Sequence, residues 1–270
     1  DFGADLTIME EATELLHRLQ SEEIPIPQFT SCCPAWVEFA ETFYPDLLQH
    51  LSSTKSPISI LSPVIKTYFA KQKNIDPKKI VNVCVTPCTA KKAEIRRPEL
   101  SAAGLFWDEP EIRDTDICIT TRELAQWIQD ENIDFANLED GQFDKAFGEA
   151  SGGGRIFGNS GGVMEAAVRT MYYVVNGKEL EHVEVAQLRG FENVRSAHVN
   201  LGGEFGEIKV AMCHGLKGTR KLVEAVLDGS ADFDFIEIMA CPGGCVDGGG
   251  TLRSKKAYIP YAMKRRETIF

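Results

Sequence analysis

The sequence has no long apolar run and no excess of basic residues. No stretch approaches the roughly 18 consecutive apolar residues of a membrane span, and residues 1–5 lack the basic start and apolar centre of a signal peptide. Lys and Arg number 29 against 40 Asp and Glu, giving a net charge of -11, which repels nucleic acids and anionic lipid surfaces. We therefore expect a cytoplasmic protein with no nucleic-acid and no membrane partner.

An initiator Met is also missing, and the chain stops abruptly after two apolar residues, Ile269 and Phe270. We therefore expect both ends to have been cut from a longer chain. Hydrophobic residues make up 43% and charged residues 26%, which excludes disordered, collagen-like and coiled-coil proteins. A chain of 270 residues can form one large domain or two ordinary ones.

Histidine is scarce, with five residues and no metal-ligand spacing, whereas cysteine occurs eight times. In a cytoplasmic protein of this size, clustered cysteines indicate metal binding or redox chemistry rather than a disulfide framework. The cysteines stand at positions 32, 33, 84, 88, 118, 213, 241 and 245. Cys84, Cys118 and Cys213 fall inside predicted strands, so we interpret them as packing thiols.

Apolar periodicity predicts helices alternating with buried strands. The first helix covers residues 6–19, with Glu11 within or beside its apolar stripe and Glu14 three residues further along. Predicted strands cover 80–85, 116–121, 182–188, 208–213 and 233–239, and predicted helices cover 122–128, 162–176 and 218–228. This alternation predicts an α/β fold of two lobes, 1–150 and 151–270, with mainly parallel sheets flanked by helices. Residues 129–160, which are acidic and then glycine-rich, are interpreted as the crossing between the lobes. The glycine-rich residues 152–162 lack a nucleotide-binding spacing.

Three segments place cysteine beside Pro or Gly at or near the end of an apolar stretch: residues 30–36, 86–94 and 239–250. Ligands gather at the carboxyl ends of strands in α/β sheets, so the three could converge on one site in the cleft between the lobes. Four thiolates are what an iron-sulfur cube requires. Zinc is the competing interpretation, because Cys84/Cys88 and Cys241/Cys245 have comparable spacing, but the adjacent Cys32 and Cys33 fit it poorly.

The same three segments resemble the signature motifs of the [FeFe]-hydrogenases, and the likeness runs from residues 1–11 through 161–167 to the glycines at 248–250. The resemblance implies an H-cluster, a [4Fe-4S] cube joined through a cysteine to a diiron unit carrying CO, cyanide and azadithiolate. It implies reversible reduction of protons to dihydrogen. It also implies ferredoxin or another low-potential electron carrier as partner, and maturation proteins that install the diiron unit.

By motif position, the resemblance assigns the cube to Cys33, Cys88, Cys241 and Cys245, with Cys245 as the bridge to the diiron unit. It leaves Cys32 free of iron to pass protons. The implied proton route runs from Cys32 through water to Glu11, Ser52 and Glu14, with Glu94 beside Lys91, the lysine that would bind a cyanide. Met239, Ala240, Thr86 and Pro87 occupy positions expected to contact the cofactor.

Some positions depart from the common family pattern. Thr86 stands where Met is frequent, Ile58 where Gln is frequent, and Ala35 where Gly is frequent. These differences suggest a subgroup distinct from the clostridial enzymes. The Cys-x2-Cys-x2-Cys-x3-Cys run of ferredoxin-like domains is absent, and the family's catalytic domain normally begins several tens of residues upstream of Asp1.

Two rival functions share parts of this pattern. Hydrogenase-like iron-sulfur assembly proteins generally lack the paired cysteines of the first motif, and hydrogen sensors usually replace the proton-relaying cysteine. The pair Cys32 and Cys33, together with Glu11 and Glu14, therefore favours catalysis. A further hypothesis is that surface lysines steer an acidic ferredoxin towards the cube. These lysines are Lys66, Lys71, Lys73, Lys78 and Lys79.

Overall fold

The computed structural model describes residues 1–21, 23–144, 146–180, 193–252 and 259–269. The helices are α1 (Phe2–Gln20), α2 (Pro34–Phe43), α3 (Pro57–Val64), α4 (Ala70–Lys73), α5 (Lys91–Glu94), α6 (Ala102–Trp107), α7 (Thr121–Asp130), α8 (Gly152–Ile156), α9 (Gly162–Asn176), α10 (Leu216–Leu227) and α11 (Ile259–Ile269). The strands are β1 (Gln28–Phe29), β2 (Val83–Thr86), β3 (Ile117–Thr120), β4 (Val194–Gly202), β5 (Gly206–His214) and β6 (Phe235–Met239).

The strands form two sheets. The larger has the order β1-β6-β5-β4, in which β6 pairs parallel with both β1 and β5 while β4 is antiparallel to β5. The smaller is the parallel pair β2-β3. Because parallel neighbours end on the same edge, β1 and β6 deliver the residues that follow them to one side of the larger sheet.

Apolar side chains cover both faces of the larger sheet. On one face, Leu15 of α1 and Met171 of α9 belong to a buried cluster with Val210 and Phe235. Another cluster joins residues of α2 and α10 to other residues of the same strands, and it contains Trp36, Val223, Ala211 and Ile236. The parallel strand β6 is buried along its whole length between these helices, as its continuous apolar run requires, whereas β4 alternates between exposed and buried residues.

The predicted fold class is confirmed: parallel sheets are flanked by helices. The helix predicted at 162–176 has those bounds, and the first helix is longer than predicted because Phe2 to Asp5 continue its first turn. The short β1 and the antiparallel β4 were not predicted, and the strand predicted at 182–188 lies outside the described residues. The division at residue 150 stays a prediction. The strands β1 and β6, which lie on opposite sides of that residue in the sequence, pair in one sheet.

None of the helices in the described ranges combines the length and the apolar character needed to cross a membrane.

Candidate functional site

Each cysteine motif occupies the turn that follows a strand. Cys32 and Cys33 follow β1, and Cys33 is the residue before α2, where Pro34 begins the helix. Cys88 lies between β2 and α5. Cys241 and Cys245 follow β6, in a turn closed by the Gly244 N–H, which donates to the Cys241 carbonyl at 3.0 Å.

Direct hydrogen bonds connect the three motifs. The backbone N–H of Ala240 donates to Cys33 Sγ at 3.4 Å, which joins the first motif to the third. Lys91 Nζ donates to the Cys32 carbonyl at 3.0 Å, which joins the second motif to the first. The Gly250 N–H donates to the Pro87 carbonyl at 2.7 Å, which joins the third motif to the second. The fold therefore brings the three motifs together.

Glycine is required where the second and third motifs touch. A Cβ on Gly248 would lie 2.3 Å from the Pro87 carbonyl oxygen, and a Cβ on Gly250 would lie 2.7 Å from Thr120 Cγ2. Both distances are far below van der Waals contact, so only a residue without a side chain fits. The glycines at 248 and 250 thus set how closely the turn bearing Cys245 approaches the turn bearing Cys88.

The motif thiols are buried close enough together to influence one another. Burial is the largest cause of the raised pKa of Cys245, and the neighbouring thiols of Cys33, Cys88 and Cys241 raise it further. Burial also raises the pKa of Cys33, with a smaller contribution from Cys88. If several of these buried, neighbouring thiols are ionised together, they need a bound cation, because burying uncompensated negative charge costs free energy.

The donor set fits a multinuclear iron-sulfur group better than a single ion. Within the described ranges, no three His, Cys, Asp or Glu side chains are arranged to hold one metal ion. A cubane binds one thiolate at each of four irons, so its ligands are spread more widely than those of zinc. Four thiols from three connected turns, with a backbone N–H directed at Cys33, match that requirement.

Cys32 differs from the other motif cysteines in its surroundings. It is buried in an apolar cluster with Ile8, Val163 and Met239. Burial raises its pKa well above the ordinary value, and Glu11 is the largest of the charged groups that raise it further. The Cys32 thiol is therefore protonated at neutral pH and lies within electrostatic range of a buried carboxyl.

Lys91 and Glu94 form a buried ion pair on α5. Lys91 Nζ lies 2.6 Å from Glu94 Oε2. The other carboxyl oxygen of Glu94 accepts hydrogen bonds from Ser56 Oγ and, at 2.5 Å, from Ser59 Oγ. Burial alone would lower the pKa of Lys91, but Glu94, with smaller contributions from Cys32 and Cys245, outweighs that effect and the pKa is raised. Lys91 is thus a fixed ammonium beside the cysteine turns.

Glu11 has no exposed surface, and burial raises the pKa of its carboxyl to about 8. Its Oε1 accepts a hydrogen bond of 3.1 Å from Gln28 Nε2, which opposes the rise. Its Oε2 is buried and makes no hydrogen bond to the described residues. Glu11 therefore holds a proton at neutral pH and can exchange it within the physiological range.

Glu14 lies one helical turn further along α1 and has the opposite behaviour. Burial alone would raise its pKa, but hydrogen bonds from Ser52, Arg18 and the Ser53 backbone lower it below the ordinary value. Ser52 Oγ donates to Glu14 Oε2 at 2.7 Å and also contributes to lowering the pKa of Glu11. Ser52 thus stands between a protonated carboxyl and an ionised one.

The positions expected to contact the cofactor lie at the start of the second and third cysteine turns. Met239 packs in the apolar cluster with Cys32, and Thr86 is buried at the end of β2. Its hydroxyl accepts a hydrogen bond of 3.3 Å from the Cys88 N–H. A cavity of about 850 Å³ is lined by Pro87 and Cys245 among others, and Ala240 faces the first motif through its bond to Cys33.

Arg18 and Gln28 are site residues that the sequence pattern did not single out. Arg18 is buried, and its guanidinium donates to Glu14 and to the carbonyls of Pro25, Gln49 and Leu51. Gln28 donates to Glu11 from β1. Arg18 stands four residues after Glu14 on a helix, and that spacing is the one signal that could have revealed it.

The lysine hypothesis needs correction at one position. Lys66 is buried, with 3% of its side chain exposed, and pairs with Asp116 at 2.7 Å. Lys66 cannot contact a partner from that position. Lys78 forms ion pairs with Glu109 and, at 3.1 Å, with Glu111, but 46% of its side chain is exposed, so its part in the hypothesis stays a prediction. Of the packing thiols, Cys118 and Cys213 are buried, and Cys84 is half-buried beside Cys118.

The chain is similar to known proteins along most of its length. Residues 1–249 match a protein family described as iron only hydrogenase large subunit, C-terminal domain. The periplasmic [Fe] hydrogenase large subunit of Nitratidesulfovibrio vulgaris is 47% identical over 251 residues, which cover 93% of this chain and 58% of that protein. A cytosolic Fe-S cluster assembly factor of Danio rerio is 30% identical over 260 residues, covering 93% of this chain and 61% of that protein.

A solved structure with a similar fold is an apo [FeFe]-hydrogenase variant from Chlamydomonas reinhardtii. It has a TM-score of 0.83 and 38% identity, and the match covers 100% of this chain and 72% of that one. The chain therefore spans less than two thirds of these two curated relatives and somewhat more of the solved structure.

Proposed function

Because the chain belongs to the iron-only hydrogenase large subunit family and matches its C-terminal domain, we propose that it reversibly reduces protons to dihydrogen at an H-cluster. The supporting observation is a protonated thiol, Cys32, buried between the cysteine turns and the carboxyl of Glu11. A structural cluster site needs its ligands but not this additional thiol. A hydrogenase needs both.

In this proposal Cys33, Cys88, Cys241 and Cys245 would hold the [4Fe-4S] cube, and Cys245 would also hold the diiron unit. When bound, the diiron unit with its CO, cyanide and azadithiolate ligands supplies the metal and the amine base at which H2 is formed or split. Lys91, fixed by Glu94, compensates the negative charge of these ligands. Thr86, Pro87, Met239 and Ala240 shape the surrounding pocket.

The chain's own residues move the proton. The Cys32 thiol holds one proton close to the cluster, and its raised pKa keeps the thiol protonated at neutral pH. Glu11 holds a second proton because its pKa is about 8. Ser52 can donate to one carboxyl while it accepts from the other, since a hydroxyl has both functions. Glu14, which is 18% exposed, connects this path to solvent.

The opposite pKa shifts of the two carboxyl groups give the path a proton acceptor at its solvent end and a proton donor near Cys32. Glu14 is ionised and accepts a proton from solvent, and Arg18 stabilises its charge at 2.7 Å. Glu11 is neutral and releases a proton when Cys32 has lost its own. A route with two ionised carboxylates would lack a donor near the thiol, so the burial of Glu11 is what makes the route work.

An iron-sulfur assembly protein without catalysis is the second candidate, because an assembly factor is 30% identical to this chain. Such a protein would use the cube ligands but not the route from Cys32 to Glu14. A hydrogen sensor is disfavoured by the retained Cys32. The proposed partners are a ferredoxin-like electron carrier and maturation proteins, and a cytoplasmic location stays a prediction beside a relative named as periplasmic.

Infrared spectroscopy after maturation tests the proposal. We expect bands of iron-bound CO and cyanide in the wild-type protein, with H2 evolution from a reduced low-potential donor. Cys32→Ala should keep those bands and lose most of the H2 evolution, about 10²- to 10⁴-fold for loss of a proton-transfer group. Absence of the bands after competent maturation contradicts the enzyme assignment. Full activity of Cys32→Ala contradicts only the proton route.

A further inference from the structure

A carboxylate that the proton route does not use lies inside the larger sheet. Glu237, in the middle of β6, has no exposed surface. Its Oε1 accepts a hydrogen bond of 2.7 Å from the Gly161 N–H, and its Oε2 accepts one of 2.7 Å from the Met164 N–H. Both donors belong to the beginning of α9, where free N–H groups and the helix dipole favour an anion. Glu237 therefore ties β6 to the N-terminus of α9.

The residues just before α9 brace the third cysteine turn. The Ser160 N–H donates to the Gly243 carbonyl at 3.2 Å, and the Val246 N–H donates to the Gly158 carbonyl at 3.1 Å. Between these bonds, residues 159 and 244 form an antiparallel bridge. A Cβ on Gly244 would come within 2.6 Å of the Ser160 nitrogen, so the two backbones touch directly. The segment 158–160 thus sets the position of the turn.

The Glu237 side chain therefore holds both the strand that leads into the third cysteine turn and the segment 158–160 that contacts this turn. β6 leads into the turn at Cys241, and Glu237 lies on that strand four residues earlier. The same carboxylate fixes the end of the bracing segment at Gly161. We infer that Glu237 is a positioning residue for Cys241 and Cys245. The inference rests on the proposed function, because it concerns two of the thiols assigned to the cube.

The carboxylate has a specific role here because each of its two oxygens accepts from a backbone N–H at the beginning of α9. Burial raises the pKa of Glu237 to about 7, so this ionised form predominates above that pH. Glutamine has the same size but only one acceptor oxygen, and its NH₂ group would face one of the N–H donors. Alanine removes both acceptors and leaves buried N–H groups without a partner. We therefore expect Glu237→Ala to displace the turn more than Glu237→Gln.

Asp234 offers a matched control. It stands one residue before β6, and its Oδ2 accepts a hydrogen bond of 2.7 Å from the Lys209 N–H. Asp234→Asn therefore makes the same change, from a carboxylate to an amide against a backbone donor, at the end of the strand remote from the cysteine turn.

The experiment reconstitutes the cube alone, with ferrous iron and sulfide under anaerobic conditions and without maturation proteins. It compares the wild-type protein with Glu237→Gln, Glu237→Ala and Asp234→Asn. The readouts are iron per chain, the electron paramagnetic resonance spectrum of the reduced cluster, and the rate of iron loss to a chelator. Outer-shell changes weaken metal sites about 10- to 100-fold, so we expect iron loss faster by that factor in the Glu237 variants, with a changed spectrum.

The outcomes separate this inference from the proposed function. If the wild-type protein binds no cube, the ligand assignment is wrong. If it binds one and Glu237→Gln, folded as judged by circular dichroism, keeps the wild-type spectrum and iron-loss rate, the positioning role is wrong and the ligand assignment stands. Equally fast iron loss from Asp234→Asn would also overturn the inference, since it would show general loosening of β6. Glu237→Gln keeps the side-chain volume, so it still tests the inference if Glu237→Ala does not fold.

Discussion

Replacement of Glu11 by glutamine should change how the stability of the metal-free protein depends on pH. Burial raises the pKa of Glu11 from 4.5 to about 8 in the folded protein, whereas in the unfolded chain it stays near its ordinary value of about 4.3. Between these values the folded state binds a proton that the unfolded state has released. The free energy of unfolding therefore falls as pH rises through this window.

The size of the effect follows from the shift. Each pH unit in the window lowers the free energy of unfolding by up to about 1.4 kcal/mol, and the whole rise corresponds to at most about 5 kcal/mol. Glutamine has nearly the same shape and does not titrate. We therefore expect Glu11→Gln to be more stable relative to wild type at pH 8 than at pH 5, by several kcal/mol.

Urea unfolding followed by circular dichroism at pH 5, 6, 7 and 8, in reducing metal-free buffer, measures this difference. Glu237, whose pKa burial raises to about 7, is present in both proteins and its contribution cancels. Glu14→Gln is the control, because the contribution of Glu14 to the free energy of unfolding depends on pH in the opposite direction. The pKa of Glu14 is lowered, so its contribution is complete above about pH 4.5 and is lost as pH falls.

Glu14→Gln should therefore be destabilising at neutral pH and leave most of the slope between pH 5 and 8 in place, because the charge of Glu14 raises the pKa of Glu11 less than burial does. Wild-type and Glu11→Gln curves that run parallel from pH 5 to pH 8 would refute the reasoning, because Glu11 would then not be protonated in the folded state.

Two other substitutions test the packing of the site. Gly248→Ala places a methyl group 2.3 Å from the Pro87 carbonyl oxygen, and should separate the second and third motifs and abolish cube reconstitution, measured as iron per chain. Gly152→Ala, where a Cβ meets no atom within 4 Å, should reconstitute like wild type, and equal iron contents would contradict the steric argument. Arg18→Met leaves Glu14 and three carbonyls without their cation, and should cost about 3–5 kcal/mol in urea unfolding. If the free energy of unfolding falls by less than about 1 kcal/mol, the Arg18–Glu14 pair contributes no more than an ordinary surface ion pair, which would contradict this prediction.

Local patterns predicted the long helices well. The apolar periodicity of residues 162–176 predicts α9, and the glycines before it and at position 177 mark its ends. All of these signals lie in or next to the segment itself. The central strands follow from continuous apolar runs. By contrast, β1 has only two residues, and it is a strand because β6 lies beside it. No property of residues 28 and 29 alone could have predicted that partner.

Charged residues were harder to interpret. Lys66 belongs to a basic stretch that is typical of a surface, but its side chain is buried and pairs with the half-buried Asp116, fifty positions away. Arg18 was overlooked for the same reason, since its carbonyl partners lie in residues 25–51. Sequence distance conceals such pairs, and a lysine or arginine is buried only when the fold supplies the compensating groups.

The sequence by itself determined the chemistry that is available: which turns carry thiols, and where glycine and proline let those turns bend. It also placed Glu11 and Glu14 on one helix three residues apart. Only the tertiary structure decided that these two carboxyls behave in opposite ways. Glu11 is fully buried beside Gln28 of β1, and this burial raises its pKa, whereas residues 52–54 and Arg18 surround Glu14 with donors and lower its pKa. The identity of a residue fixes its ordinary pKa, but burial and hydrogen-bond partners, which the distant chain supplies, fix its charge in the folded protein.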